Sequence, residues 1–144
     1  MLPPDLSSLK KHVVDAYQLG HDIALDHCIY GPTADAQRGY VGETSSYYRL
    51  LAGHCAMTNA SRVIEVGTHY GGSSLAMAAG MAHAGTADCR LVTMDVTDLN
   101  REALSHEPRI HKIIGDSTEL GFVSGVAAEF DGPQIDLLYV DALK

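Results

Sequence analysis

The sequence is poor in basic residues: 10 Lys and Arg stand against 18 Asp and Glu in 144 residues, a formal net charge of −8. Beyond the Lys10-Lys11 pair there is no basic cluster, so the chain lacks the electrostatic footprint that a phosphate backbone requires, and no nucleic-acid partner is expected. Cysteine is scarce. Cys28, Cys55 and Cys89 lie far apart without C-x-x-C spacing, and an odd count precludes complete internal pairing, so reduced thiols and a cytoplasmic location are expected. No stretch approaches the ~18 apolar residues of a membrane span, and the N-terminus lacks a basic segment followed by an apolar run. Neither secretion nor a membrane partner is therefore expected. The histidines form no H-x-x-x-H or similar metal-binding spacing. With 46% hydrophobic and 19% charged residues, the chain is expected to fold as a soluble globular unit around one core.

Acid is concentrated in the second half: residues 1–62 carry 5 basic and 6 acidic residues, residues 63–144 carry 5 and 12. From Asp5 to about Ile29, apolar positions recur at helical steps (Leu6, Leu9, Val13, Ala16, Gly20, Ile23), which predicts an amphipathic helix bent at Gly20 and stopped by Gly31-Pro32. After a loop rich in turn residues, a second helix is predicted from near Thr44 to Thr58-Asn59, with Tyr47, Leu50, Leu51, His54 and Cys55 on its inner face. From Arg62 onward short β-rich runs (RVIEV, RLVTMDV, RIHKIIG, QIDLLYV) alternate with helical stretches, including a short one at LNREAL and one near Glu119–Glu129. Such alternation predicts parallel βαβ units. The consecutive apolar positions predict strands buried on both faces, with a crevice over their carboxyl ends.

The most informative stretch runs from Val63 to Ser74, VIEVGTHYGGSS, where a strand enters a glycine turn and a helix begins. Glycine allows close backbone approach to a ligand, and a helix N-terminus offers N–H groups and a positive dipole end. A dinucleotide fingerprint would need glycine where His69 stands, and a phosphate-binding P-loop would need lysine where Ser73 stands. What remains is E-x-G-x-x-x-G-G-S, built on Glu65, Gly67, Gly71, Gly72 and Ser73, a pattern suited to a ligand carrying both ammonium and carboxylate groups. Backbone amides around Gly71 to Ser74, with the Ser73 hydroxyl, can hold the carboxylate, while Glu65 can orient the turn or balance positive charge.

Here the chain resembles the class I S-adenosylmethionine-dependent methyltransferases, whose first motif is an acid followed by a glycine-rich turn. Three further strand ends keep that family's order. Asp95 ends the second strand, where the resemblance implies an acid holding both ribose hydroxyls. Asp116 and Ser117 follow the third, where it implies a pair bracketing the adenine. Asp141 ends the fourth, at the implied reaction centre. His69, inside the turn, is also a candidate contact for the cofactor. The ending YVDALK is similar to metal-dependent O-methyltransferases of the catechol and caffeoyl-coenzyme A type, which implies Asp141 as a Mg²⁺ ligand and Lys144 as general base toward a hydroxyl acceptor. The short segment from Val96 to Thr118 looks more like the sugar and cephalosporin-type O-methyltransferases, so the substrate class stays open.

The resemblance implies an α/β fold: a Rossmann-like doubly wound parallel sheet ordered 3-2-1-4, with residues 1–61 as an N-terminal helical cap and residues 62–144 as the S-adenosylmethionine-binding core. It also implies a seven-stranded sheet. The four strands found here are therefore expected to belong to a longer protein, and the unpaired edge of the fourth to meet a second copy in a homodimer. Plainer roles compete at each site: loop acid or helix cap for Asp95 and Asp116, an ordinary strand end for Asp141 and Lys144, and packing for Tyr40, Tyr47 and Tyr48. Methyl transfer to a small-molecule hydroxyl is the expected activity. The competing functions are a binding module that keeps only the cofactor half and, less favoured for want of G-x-G, a nicotinamide-dependent oxidoreductase.

Overall fold

In the computed structural model, which describes residues 5–28, 46–99, 104–130 and 134–141, the chain opens with helix α1, Leu6–Gly20. Asp5 caps it, its side chain accepting from the Ser8 amide at 2.8 Å. The helix ends at Gly20 instead of bending there and continuing to Ile29; a short 3₁₀ turn at Asp26–Cys28 follows. A Cβ on Gly20 would lie 2.6 Å from the Arg49 carbonyl carbon, so this glycine is where another backbone presses against α1.

That backbone belongs to α2, Ser46–Thr58, which ends at the expected place but buries a different face. Tyr48, Ala52, Gly53, Cys55 and Ala56 are buried, whereas Tyr47, Leu50, Leu51 and His54, predicted to face inward, are at most partly so. Helix α2 packs against α1 on one side and α3, Gly72–His83, on the other. Close approach on both sides selects small residues: a Cβ on Gly53 would meet the Ala16 carbonyl carbon at 2.7 Å, and one on Gly80 of α3 would meet that of Ala52 at 2.8 Å. At the α1–α2 contact, His12 Nε2 and His54 Nδ1 lie 2.9 Å apart.

The sheet consists of β1, Arg62–Val66; β2, Arg90–Asp95; β3, Ile110–Ile114; and β4, Leu137–Val140. All pairs are parallel and the order is β3-β2-β1-β4, as expected. Asp136 registers β4 against β1 by accepting from Ser61 N, Ser61 Oγ and Arg62 N at 2.8 to 3.0 Å; the Ser61 amide foremost holds its carboxyl below the usual range. On one face, α2 and α3 bury Cys55, Met77 and Met81 against Val63 and Leu91, each large apolar side chain contributing about 1.5–3 kcal/mol. On the other, α4, Leu120–Ala128, covers Val92 and Met94 with Val126 and Phe130 beside it.

Full burial on both faces holds for β2 alone, since β1 buries Val63 and Glu65 on one face and leaves Ile64 and Val66 half-buried on the other. Val63, Glu65, Leu91, Val92 and Thr93 are fully buried, but Ile114 of β3 is 41% exposed, and Leu138 and Val140 of β4 are each 61% exposed. By register Leu138 and Val140 stand beside Ile64 and Val66, on the face where α4 covers the centre of the sheet and leaves β4 bare. Cys28, Cys55 and Cys89 are all thiols, joined in no disulfide. Burial pushes the Cys28 and Cys55 thiols up to about 12, which makes them unreactive core residues. No described helix is long and apolar enough to cross a membrane. Most of the LNREAL stretch, together with Tyr40 and Lys144, lies outside the described residues.

Two glycine-to-alanine substitutions are expected to act with opposite sign in urea denaturation. Gly53→Ala drives a methyl into α1 and should cost about 1–3 kcal/mol. Gly125→Ala, in α4 with nothing within 4 Å, should gain about 0.5–1 kcal/mol from helix propensity.

Candidate cofactor site

The carboxyl ends of the strands open into a cleft of about 550 Å³. Its first wall is the glycine turn, Val66 to Ser73; its second is Met94 to Thr97 with Leu99; Gly115 and Ser117 after β3 close one end, Asp141 after β4 closes the other, and Tyr47 and Tyr48 of α2 complete it. Parallel strands all deliver their following loops to this one edge, which is why residues distant in sequence meet there.

Three successive features shape the turn. The Met94 carbonyl accepts from Gly67 N at 2.8 Å and Thr68 N at 3.2 Å, drawing the turn over the end of β2. The chain then passes through left-handed conformations at His69 (φ 47°) and Gly71 (φ 84°). Gly71 is the N-cap of α3 and leaves the first turn of that helix without a side-chain cap. A Cβ there would also lie 2.6 Å from Leu104 Cδ2, but it is the left-handed conformation that favours glycine. Its neighbour Gly72 makes room for Tyr48, whose Cζ a Cβ would approach to 2.7 Å. An open helix start lined by Gly71, Gly72 and Ser73 is suited to a carboxylate.

Glu65, one strand position before the turn, is fully buried and does not line the cleft. Its carboxyl accepts from Ser73 Oγ, Ser74 Oγ and, at 2.6 Å, Thr93 Oγ1; Thr93 Oγ1 is in turn 2.7 Å from Thr68 Oγ1. Of the two roles considered for Glu65, orienting the turn is the one its contacts support. A direct charge contact with a ligand in the cleft would require it to leave this cluster. The Ser73 hydroxyl proton is likewise committed to Glu65, so what Ser73 offers a ligand is its backbone and an oxygen lone pair.

Asp95 does line the cleft, and it holds two loops together. Its Oδ2 accepts from His69 N at 2.8 Å and its Oδ1 from Thr97 N at 3.2 Å, while each oxygen keeps a further lone pair for a ligand hydroxyl. His69 also lines the cleft, its ring packed edge-on against Tyr70 with centroids 4.3 Å apart. Asp116 differs from expectation. It accepts from Thr118 N and Thr118 Oγ1 at 2.8 and 2.7 Å in a local turn, the hydroxyl foremost lowering its carboxyl, while the neighbouring Gly115 and Ser117 reach the cleft in its place. Asp141 lines the cleft. Its amide donates to Val66 O at 2.9 Å, and one carboxylate oxygen accepts from Tyr139 Oη at 3.3 Å.

Of the four strand-end acids, then, Asp95 and Asp141 border the cleft and Glu65 and Asp116 do not. Tyr47 and Tyr48, for which packing was the plainer role, stand in its wall, Tyr48 buried and Tyr47 partly exposed. Lining the pocket from the N-terminal segment was the alternative to packing, and which of the two holds is set by the neighbours of the helix that carries them. Among the described residues no group of three or more metal-ligating side chains converges. Mg²⁺ takes near-octahedral oxygen coordination, and Asp141 alone does not make such a site.

Burial pushes the Glu65 carboxyl up, and the Ser73, Ser74 and Thr93 hydroxyls pull it partly back. The folded chain therefore holds the proton more tightly than the unfolded one. Stability from this group is full below its ordinary value of 4.5 and declines as pH rises through the raised folded value. Urea midpoints of wild type and Glu65→Gln should show this: the wild-type advantage is expected to shrink as pH rises above about 4.5. A difference that stays flat or grows would contradict the assignment.

By sequence, no protein family and no curated protein matches this chain. Solved structures do match by fold. An O-methyltransferase from Bacillus cereus in complex with SAH superimposes with a TM-score of 0.56 at 17% identity, over 99% of this chain and 56% of that one. A putative O-methyltransferase from Klebsiella pneumoniae gives 0.53 at 21% identity, over 99% and 56%. The SAH-bound methyltransferase PaMTH1 from Podospora anserina gives 0.55 at 16% identity, over 99% and 60%. The chain thus spans a little over half the length of these structures, and over that span it shares their Rossmann-like fold.

Proposed function

We propose that this chain binds S-adenosylmethionine across the carboxyl edge of its sheet and serves methyl transfer to a hydroxyl of a small molecule. One observation carries the reading: the uncapped start of α3 at Gly71–Ser73 and the Asp95 carboxylate face one cleft of about 550 Å³. These two features complement the two ends of an amino-acid nucleoside. The helix start, with its positive dipole end, would take the methionyl carboxylate. Asp95, with lone pairs left over from His69 N and Thr97 N, would accept from the ribose hydroxyls. Val96 and Leu99 supply apolar surface beside Asp95 for a flat base. The SAH held by the Bacillus cereus and Podospora anserina proteins supports the same choice of ligand.

Bound in this cleft, S-adenosylmethionine supplies an electrophilic methyl group on a sulfonium. The chain's own residues have then to hold the acceptor hydroxyl in line and take its proton. Asp141, at the end of β4 and braced by Tyr139, is placed to accept a hydrogen bond from that hydroxyl. Lys144, outside the described residues, is the general base in this reading. No step is routed through Mg²⁺, because the described donors do not make a site for it. Binding without transfer is the second reading, in which the cleft holds the cofactor and Asp141 only borders it.

Calorimetric titration with S-adenosylmethionine, SAH and NAD separates the ligand classes. Heat is expected with the first two and none with NAD; the reverse would overturn the proposal. Asp95→Ala should weaken SAH binding about 10- to 100-fold, the range for a lost hydrogen bond to a charged group. If the chain transfers methyl groups to a phenolic acceptor, Lys144→Met should lower kcat by about 10²-fold or more while leaving the SAH affinity within about threefold.

A further inference from the structure

Lys112 of β3 is a lysine whose side chain is only 8% exposed. Its Nζ donates to the Leu99 carbonyl at 2.6 Å and lies 3.1 Å from Asp98 Oδ1. Withdrawing an ammonium from water is costly even with partners to compensate it, so packing alone would be served better by a hydrocarbon chain. What the ammonium achieves is to fix a backbone carbonyl in a loop, and that loop is the second wall of the cleft: Val96, Thr97 and Leu99 all line it. Asp95 ties down the start of the loop through Thr97 N, and Lys112 ties down its end through Leu99 O.

We propose that Lys112, with Asp98 as its counter-ion, is a positioning residue for the nucleoside half of the ligand. It acts by holding the Val96–Leu99 loop against the cleft, and it makes no ligand contact of its own. By register Lys112 pairs with Thr93, which donates to Glu65. The clamp and the cluster beneath the glycine turn thus stand on neighbouring strands at one level of the sheet. The pair is neutral overall, so it shapes the wall without adding net positive charge beside a cationic ligand. The inference rests on the proposed binding of S-adenosylmethionine in this cleft.

The test is calorimetry of SAH and of adenosine with wild type, Lys112→Met, Lys112→Arg and Asp98→Asn, alongside urea denaturation of each ligand-free protein. Lys112→Met keeps the aliphatic stem and loses the donor. It is expected to weaken SAH and adenosine by the same factor, about tenfold or more, because the loss falls on the half they share. Lys112→Arg, which keeps charge and donors, should stay within about threefold of wild type. A role confined to stability would lower the urea midpoint and leave both affinities unchanged in the folded variant. Where Lys112→Met does not fold, Asp98→Asn loosens the clamp from its other end and should weaken both ligands severalfold. A folded Lys112→Met or Asp98→Asn protein that binds SAH like wild type overturns the clamp alone. Wild-type protein that binds no SAH overturns the clamp and the proposed function together.

Discussion

The geometry of the cleft depends on one buried contact, the Glu65 carboxyl enclosed by the hydroxyls of Ser73, Ser74 and Thr93. It joins three elements that no local preference would bring into register: strand β1, the first turn of α3 and the neighbouring strand β2. A buried carboxyl without partners would be intolerable, but hydroxyls that can both donate and accept satisfy it in either protonation state. The start of α3 is held against the sheet by its own serine side chains, leaving its backbone to the cleft. The glycine turn between them is drawn over β2 by the Met94 carbonyl.

A second tie acts from the solvent side. Asp95 accepts one amide from the glycine turn and another from the loop that follows β2, so a single carboxylate links the two walls between which a ligand would lie. Lys112 holds the far end of the second wall. The site is thereby organised before any ligand arrives, which lowers the ordering cost that binding would otherwise carry. The acidity of the second half of the chain is only partly directed at the cleft. Glu65 and Asp116 meet needs of the fold, in a hydroxyl cluster and a local turn, while Asp95 and Asp141 face the open edge.

Much of the sheet was legible because its signals are local. The alternation of β-rich and helical runs from Arg62 implies parallel crossovers, and the observed order β3-β2-β1-β4 follows the expected one. The E-x-G-x-x-x-G-G-S turn was legible for the same reason, since the left-handed backbone at Gly71 favours glycine whatever surrounds it. Less legible were the properties set by neighbours. Helix α2 buries Ala52, Gly53 and Ala56 because α1 and α3 press on both its sides, which overrides the stripe of larger apolar residues read from its periodicity. Consecutive apolar residues in LLYV imply two buried faces, yet β4 is an edge strand and α4 leaves Leu138 and Val140 bare.

Sequence by itself thus determined the α/β class, the glycine turn and the placing of Asp95 and Asp141 at strand ends, since each follows from short-range chemistry, while the strand order was what the resemblance to the methyltransferases implied. Tertiary structure alone decided which acids reach the cleft, that Ser73 bonds to Glu65, that two tyrosines of α2 stand in the wall, and that Lys112 grips the Leu99 carbonyl. The physical reason is distance along the chain. Glu65 and Thr93 are 28 positions apart, and Lys112 and Leu99 are 13 apart, so only the register of adjacent strands and the path of their loops bring these partners together.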